Sequence, residues 1–180
     1  KFMWYGSEEV GLEGSKAYVR DHEEELKKHL FMVNVDVAAP VIGSESAMVM
    51  ASEELTHFVD LYFKMRGYSV AVKQDIYSSD SIPFADKGVP GINFCRFGTP
   101  GSAYIHNRHD VIKYLSAEAL EKTLVYTIDF TDMLVNCVAF PTKREVPKEI
   151  VEKVDKYLFK KEMEEARKLN EEKEKAAEQK

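Results

Sequence analysis

Cysteine is scarce in this chain, with only Cys95 and Cys137 among 180 residues. Neither belongs to a Cys-x-x-Cys pair or to a metal-ligand spacing, so a cysteine zinc site and a dithiol redox centre are excluded. The expectation is two buried free thiols, with a disulfide as the alternative. Two thiols do not decide the redox compartment. Long apolar runs are missing too. Nothing approaches the roughly 18 consecutive apolar residues that a membrane-spanning helix needs. Positive charge is in deficit, with 25 basic residues against 31 acidic and a net charge of -6. A basic face of the kind that binds nucleic acid is therefore not expected. A mildly acidic surface is compatible with cationic ligands such as peptide amines. Internal repeats are absent.

What is present describes a soluble globular domain with a core of its own: 44% apolar and 31% charged residues. After Lys1, residues 2–5 are wholly apolar and predict a buried strand. A chain that opens inside a strand reads as part of something longer. A loop over 6–14 carries three acids and three glycines. A helix is predicted from Ser15 to about His29, with a break near Asp21. Residues 30–37 predict a second buried strand, ending in Asp36. Ser52, Glu53 and Glu54 start a helix that Gly67 stops after Arg66. Residues 68–73 and 89–94 predict strands. Ser116 caps a long helix on which Leu120, Leu124 and Ile128 share one face, joined by Val125, Met133 and Leu134.

Strands alternating with helices imply an α/β fold, with a mostly parallel, mixed sheet and helices on both faces. Residues 1–146 form the domain and 147–180 a charged helical tail. The tail holds ten basic and ten acidic residues over 148–180, so the whole negative balance lies before it. Ile150, Val154 and Leu158 predict a docked helix over 148–160. The remainder reads as a solvated helix rather than a coiled coil.

Four segments could carry chemistry. Glu8 and Glu9 follow the first strand, where one acid could bind a metal and its neighbour act as a general base. Alone, they read as a solvated acidic loop. Asp36 ends an apolar run at a strand terminus, where α/β sheets collect ligand groups. It could equally cap a turn before Pro40. His106 lies in a polar loop over 104–110 and could ligate zinc, with His109 as its rival and two surface histidines as the plain reading. Residues 78–84 read by themselves as a turn.

The order and spacing of these segments resemble a family. Gly6-Ser7-Glu8-Glu9-Val10-Gly11-Leu12-Glu13-Gly14-Ser15 is similar to the Gly-Ser-Glu-Glu-x-Gly-Leu-x-Gly-Ser block of the zinc aminopeptidases of the secreted bacterial leucine aminopeptidase type. Relatives of that family, metallopeptidase family 28, include glutamate carboxypeptidase and the transferrin receptor. Asn34-Val35-Asp36 follows 27 residues beyond Glu9. Then come Ser79-Asp80-Ser81, Phe84 and Gly88-Val89-Pro90, and finally Tyr104 to Asp110. The resemblance covers about residues 1–140. It implies a phosphorylase/hydrolase-like zinc exopeptidase fold, of which this chain would be the C-terminal portion, incomplete at its N-terminus.

The resemblance also implies roles. Glu8 would be the general base, Glu9, Asp36 and His106 zinc ligands, and Tyr104 an oxyanion stabiliser. The substrate would be a peptide cleaved at its N-terminal residue, and two zinc ions would complete the site. The family takes two further ligands from an upstream His-x-Asp segment. A second chain or segment would have to supply them, and this chain alone would be inactive and hold zinc poorly. Ser81 stands where the family has histidine and Asn107 where it has threonine, neither as a ligand. Secretion or another extracytoplasmic location follows only from the resemblance. The alternatives are a glutaminyl-cyclase-like zinc enzyme and a non-catalytic binding relative.

Overall fold

The structure is a computed structural model and describes residues 1–98 and 105–178. Its elements in chain order are α1 (Glu13–Asp21), α2 (Glu23–Leu26), β1 (Met32–Val35), β2 (Ser44–Met50), α3 (Glu53–Arg66), β3 (Val70–Gln74), α4 (Ser81–Asp86), β4 (Gly91–Phe97), α5 (Ala117–Asn136), α6 (Lys148–Tyr157) and α7 (Lys160–Glu178). The four strands form one mixed sheet in the order β1-β4-β2-β3. β1 runs parallel to β4 and β2 parallel to β3, while β2 and β4 are antiparallel.

Side chains alternate across a strand, and this alternation divides the interior. Ala47 and Val49 of β2 join Ile92 and Phe94 of β4 in a core covered by α3 and α5. Phe63, Phe94, Tyr126 and Phe130 meet there, with ring centroids between 5.2 and 5.9 Å apart for the Phe94 contacts. Met50 enters a second cluster with Leu12, Ile82, Ala85, Ile150 and Val154. A third joins Val19 and Leu26 to Met32, Phe84 and Val89. Both sheet faces are thus covered by helices, as the α/β pattern predicts.

Several boundaries follow the signals in the sequence. Ser52 Oγ accepts from Leu55 N at 3.3 Å at the start of α3, and Gly67, at φ 77°, ends it. Ser116 Oγ accepts from Ala119 N at 3.2 Å at the start of α5. The expected break falls at His22, between α1 and α2. Both cysteines are free, and Cys95 is buried. Among the described residues, no helix is long and apolar enough to cross a membrane.

Other expectations are corrected. Residues 1–5 are not a strand: Phe2 and Trp4 are each 97% exposed, while Met3 and Tyr5 pack beneath. A strand exists only where a neighbour completes its ladder, and none of the described strands pairs with this segment. β2 was not anticipated, because Ser44-Glu45-Ser46 hides the alternation of Ala47 and Val49. α4 replaces an expected turn, with Pro83 tolerated in its first turn. α5 turns a different face inward. It buries Ala119, Thr123, Tyr126, Thr127, Phe130 and Leu134, leaving Leu120 38% and Ile128 62% exposed. Val125 is exposed as well. The bulkier stripe loses because small residues let the helix approach the sheet, and the rings of Tyr126 and Phe130 fill the space. Leu134 is buried and Met133 packs against the core, as expected.

The tail docks through α6. Ile150 and Val154 are buried and Leu158 packs beside them. Lys153 Nζ reaches Asp75 Oδ1 at 2.7 Å, and Lys73 Nζ holds the other oxygen at 2.8 Å. α7 is polar along its length, with Met163 and Leu169 exposed. Burial alone would raise the Asp75 carboxyl. Hydrogen bonds from Lys153, Lys73 and the Ile76 N–H overcome it and hold the group at about 2, against an ordinary 3.8. Because the folded value is the lower one, the stabilisation is complete above pH about 4 and is lost as pH falls toward 2. Urea denaturation across that range should show wild type losing more stability than Asp75→Asn.

Candidate metal-binding and catalytic site

The acidic loop is shaped by backbone conformation. Glu8–Val10 form a single 3-10 turn. Leu12 N and Gly11 N both donate to Glu8 O, at 2.9 and 3.1 Å, and Gly14 N donates to Gly6 O at 3.1 Å. A side chain at position 14 would place Cβ 2.4 Å from Gly6 O, so only glycine closes the loop here. Ser7 and Leu12 both take positive φ, 59° and 61°. Leu12 is held there by burial against Ile82 and Ile150. The loop is thereby anchored at its far end, while Glu8 and Glu9 remain accessible.

Glu9 and His106 are brought together. His106 Nε2 lies 2.6 Å from Glu9 Oε2 across 97 residues of sequence, and both side chains are well exposed. They share an open depression with Asn107 and Asp110. Asn107 Oδ1 accepts from His109 N at 2.8 Å, and His109 Nε2 lies 3.4 Å from Arg108 Nε. Asp36 follows β1, its N–H bonded to Phe94 O at 3.0 Å. Tyr104 lies outside the described residues.

Electrostatics links the acids. Partial burial raises the Glu8 carboxyl, and the charges of Asp36, Glu9 and Asp80 raise it further, with His106 opposing. Asp80 is raised by burial and by Asp36, while a hydrogen bond from Ser15 pulls it down. Burial also raises the Tyr77 hydroxyl, followed by Asp36, Cys95, Glu8 and Glu9. Tyr77, stacked edge-on against Phe97 at 5.2 Å, is a neighbour of the acids that sequence reasoning missed. Its one sequence signal is its position just beyond β3, at the sheet end where ligand groups gather.

The motifs interlock below these acids. Asn34 Nδ2 donates to Ser79 Oγ at 2.8 Å and to Asn93 Oδ1. Ser15 Oγ reaches Leu12 O at 3.1 Å and is also a hydrogen-bond partner of Asp80. Four segments distant in sequence are thus tied by buried and half-buried polar groups. Asp80 Oδ1, Ser81 Oγ and Asn93 Nδ2 are left buried without a hydrogen-bond partner.

Carboxylates and an imidazole are donors that suit zinc. Glu9 and His106 stand in direct contact, but the structure does not bring Asp36 into one ligand group with them. Among the described residues, no three of His, Cys, Asp and Glu form a group able to hold a metal ion. The donor types fit zinc, and the chain supplies part of a site rather than a closed one.

Comparison with known proteins identifies the family and the fold. The model of peptidase family M28 matches residues 1–131, and the chain belongs to that family. Among solved structures, it is similar to a zinc aminopeptidase from Bacillus subtilis, BSAP, at 25% identity and a TM-score of 0.56. That match covers 81% of this chain and 38% of the other. It is also similar to a peptidase M28 precursor from Shewanella amazonensis, at 26% identity and a TM-score of 0.62, covering 79% of this chain and 32% of the other. The fold of an aminopeptidase from an Aneurinibacillus strain is similar too, at 21% identity and a TM-score of 0.56, covering 77% of this chain and 36% of the other. This chain therefore spans about a third of the length of these structures. No curated protein matches the sequence. These comparisons do not favour the cyclase-like or the non-catalytic alternative.

Asn34 is the tie most open to test. Asn34→Ala would strip Ser79 and Asn93, both buried, of their shared partner. Chemical denaturation should show a loss of about 1–3 kcal/mol, the cost of leaving buried polar groups unpaired.

Proposed function

We propose that the protein to which this chain belongs is a zinc-dependent aminopeptidase, removing N-terminal residues from peptides. The observation that carries this reading is the meeting of Glu9 and His106 across the fold at 2.6 Å, with Glu8 beside them. Glu9, Asp36 and His106 are this chain's zinc ligands. Bound zinc supplies a Lewis acid that polarises a peptide carbonyl and acidifies water.

Glu8, the neighbouring carboxylate, acts as the general base. Its carboxylate takes a proton from the attacking water. Burial and the neighbouring acids bring its carboxyl closer to neutrality than an ordinary glutamate, which suits a group that must accept and then release a proton. Tyr104 donates a hydrogen bond to the oxygen on which negative charge develops. The remaining ligands come from a segment or second chain outside residues 1–180, and two zinc ions complete the site. The family match and the zinc aminopeptidase from Bacillus subtilis support the reading.

Two measurements test it. In the full-length enzyme, Glu8→Gln should retain zinc while lowering kcat by about 10²-fold or more. Loss of zinc with unchanged turnover per metal would instead make Glu8 a ligand. The 180-residue chain alone should bind zinc substoichiometrically and leave an amino-acid anilide uncleaved. Two tightly bound zinc ions with robust turnover would place the whole site within this chain.

A further inference from the structure

The connection that follows β1 is fastened at four successive carbonyls. Val37 O accepts from Arg96 N at 2.9 Å, and Ala39 O accepts from Ser116 N at 2.9 Å. Ala38 O lies 3.0 Å from the Thr123 hydroxyl, and Pro40 O accepts from Arg96 Nε at 2.9 Å. The donors belong to β4, to α5 and to the N-cap of α5. A connecting loop on a surface does not need this much restraint.

Within the loop, Val37 adopts φ 52°. β-Branched residues rarely enter that region, and such strain persists only where the surroundings over-determine the backbone. Three carbonyl hydrogen bonds from Arg96 and Ser116, with the Thr123 hydroxyl set against Ala38 O, supply that determination. The strained residue directly follows Asp36.

Behind the loop stands a buried ion pair. Arg96 Nη1 lies 2.6 Å from Glu45 Oε1, with the two side chains only 13% and 10% exposed. The other oxygen of Glu45 lies 2.8 Å from the Thr123 hydroxyl and 3.0 Å from the Tyr126 hydroxyl. Thr123 has one proton for three acceptors in reach, Glu45, Ala38 O and, at 3.3 Å, Ala119 O; the charged carboxylate is the nearest of them and fixes where that hydroxyl sits. Glu45 thereby orients both side chains that fasten the loop. A buried carboxylate needs partners on both oxygens to be tolerated, and here it has them.

We propose that Glu45, Arg96 and Thr123 are positioning residues that fix the backbone carrying Asp36, through the strained residue Val37, for its role as a ligand. The proposal rests on the reading of Asp36 as a zinc ligand. A ligand carboxylate has to be held within about 0.5 Å of its productive place. A free loop end would leave Asp36 to swing, and the fastened loop removes that freedom before zinc arrives.

The test uses the full-length enzyme, with zinc affinity read by competition against a chromophoric chelator and the melting temperature of the zinc-free protein read separately. T123V keeps the shape and removes the hydroxyl. It should raise the zinc dissociation constant by roughly 10-fold or more, and T123S should restore it. V37G suits the positive φ but frees the backbone. It should weaken zinc binding without lowering the melting temperature, and it carries the test alone if T123V does not fold. Unchanged zinc affinity in both T123V and V37G, with D36N still weakening it, would overturn the positioning role and leave Asp36 a ligand. Unchanged affinity in D36N would overturn the ligand assignment, and the positioning role with it.

Discussion

The fold depends on the double pairing of β4. It lies between β1, parallel to it, and β2, antiparallel to it. Its alternation sends Ile92 and Phe94 into the core beneath α3 and α5, while Asn93 and Cys95 face the other way. Asn93 meets Asn34 on the neighbouring strand, Phe94 O receives the Asp36 N–H, and Arg96 holds the loop beyond. One seven-residue strand therefore carries the hydrophobic core on one side and the frame of the site on the other. A slip of one residue in its register would exchange the two sets.

How much of this was legible in the sequence depended on whether the signal was local. α3 was readable from Ser52 and Gly67, because a cap and a left-handed stop act within one turn. The end of the domain was less so. The docked helix of the tail was legible from the spacing of Ile150, Val154 and Leu158, but not that its partner is the cluster that buries Leu12 of the acidic loop. β2 escaped because Glu45 reads as a surface residue, when its charge is in fact satisfied inside the protein by Arg96 and two hydroxyls. The inner face of α5 escaped for a related reason. Thr123 looks too polar for a core, and only the Glu45 carboxylate and the Ala38 carbonyl on the other side explain why it is there.

For the site, the family resemblance implied Glu9, Asp36 and His106, and the fold brings Glu9 and His106 together without gathering Asp36 into one group with them. The Asn34–Ser79 and Ser15–Asp80 ties give those motifs a physical meaning beyond metal binding. Ser15, Asn34, Ser79 and Asp80 are fasteners between loops, and no local pattern distinguishes a fastener from a turn residue. Tyr77 has the same character: what marks it is its set of neighbours, Asp36, Glu8 and Glu9, which exist only in three dimensions.

The exposure of Trp4 has a spectroscopic consequence. It is the chain's one tryptophan, and it stands almost wholly in solvent while Phe63, Phe94, Tyr126 and Phe130 form the interior. Its fluorescence is thus uncoupled from the core. Emission from Trp4 reports on the water around the N-terminal segment, and unfolding of the sheet is seen instead through the near-ultraviolet dichroism of the buried rings. Any surface that comes to cover residues 1–5 would shift that emission to the blue with the core unchanged, so a single optical channel reads association apart from folding.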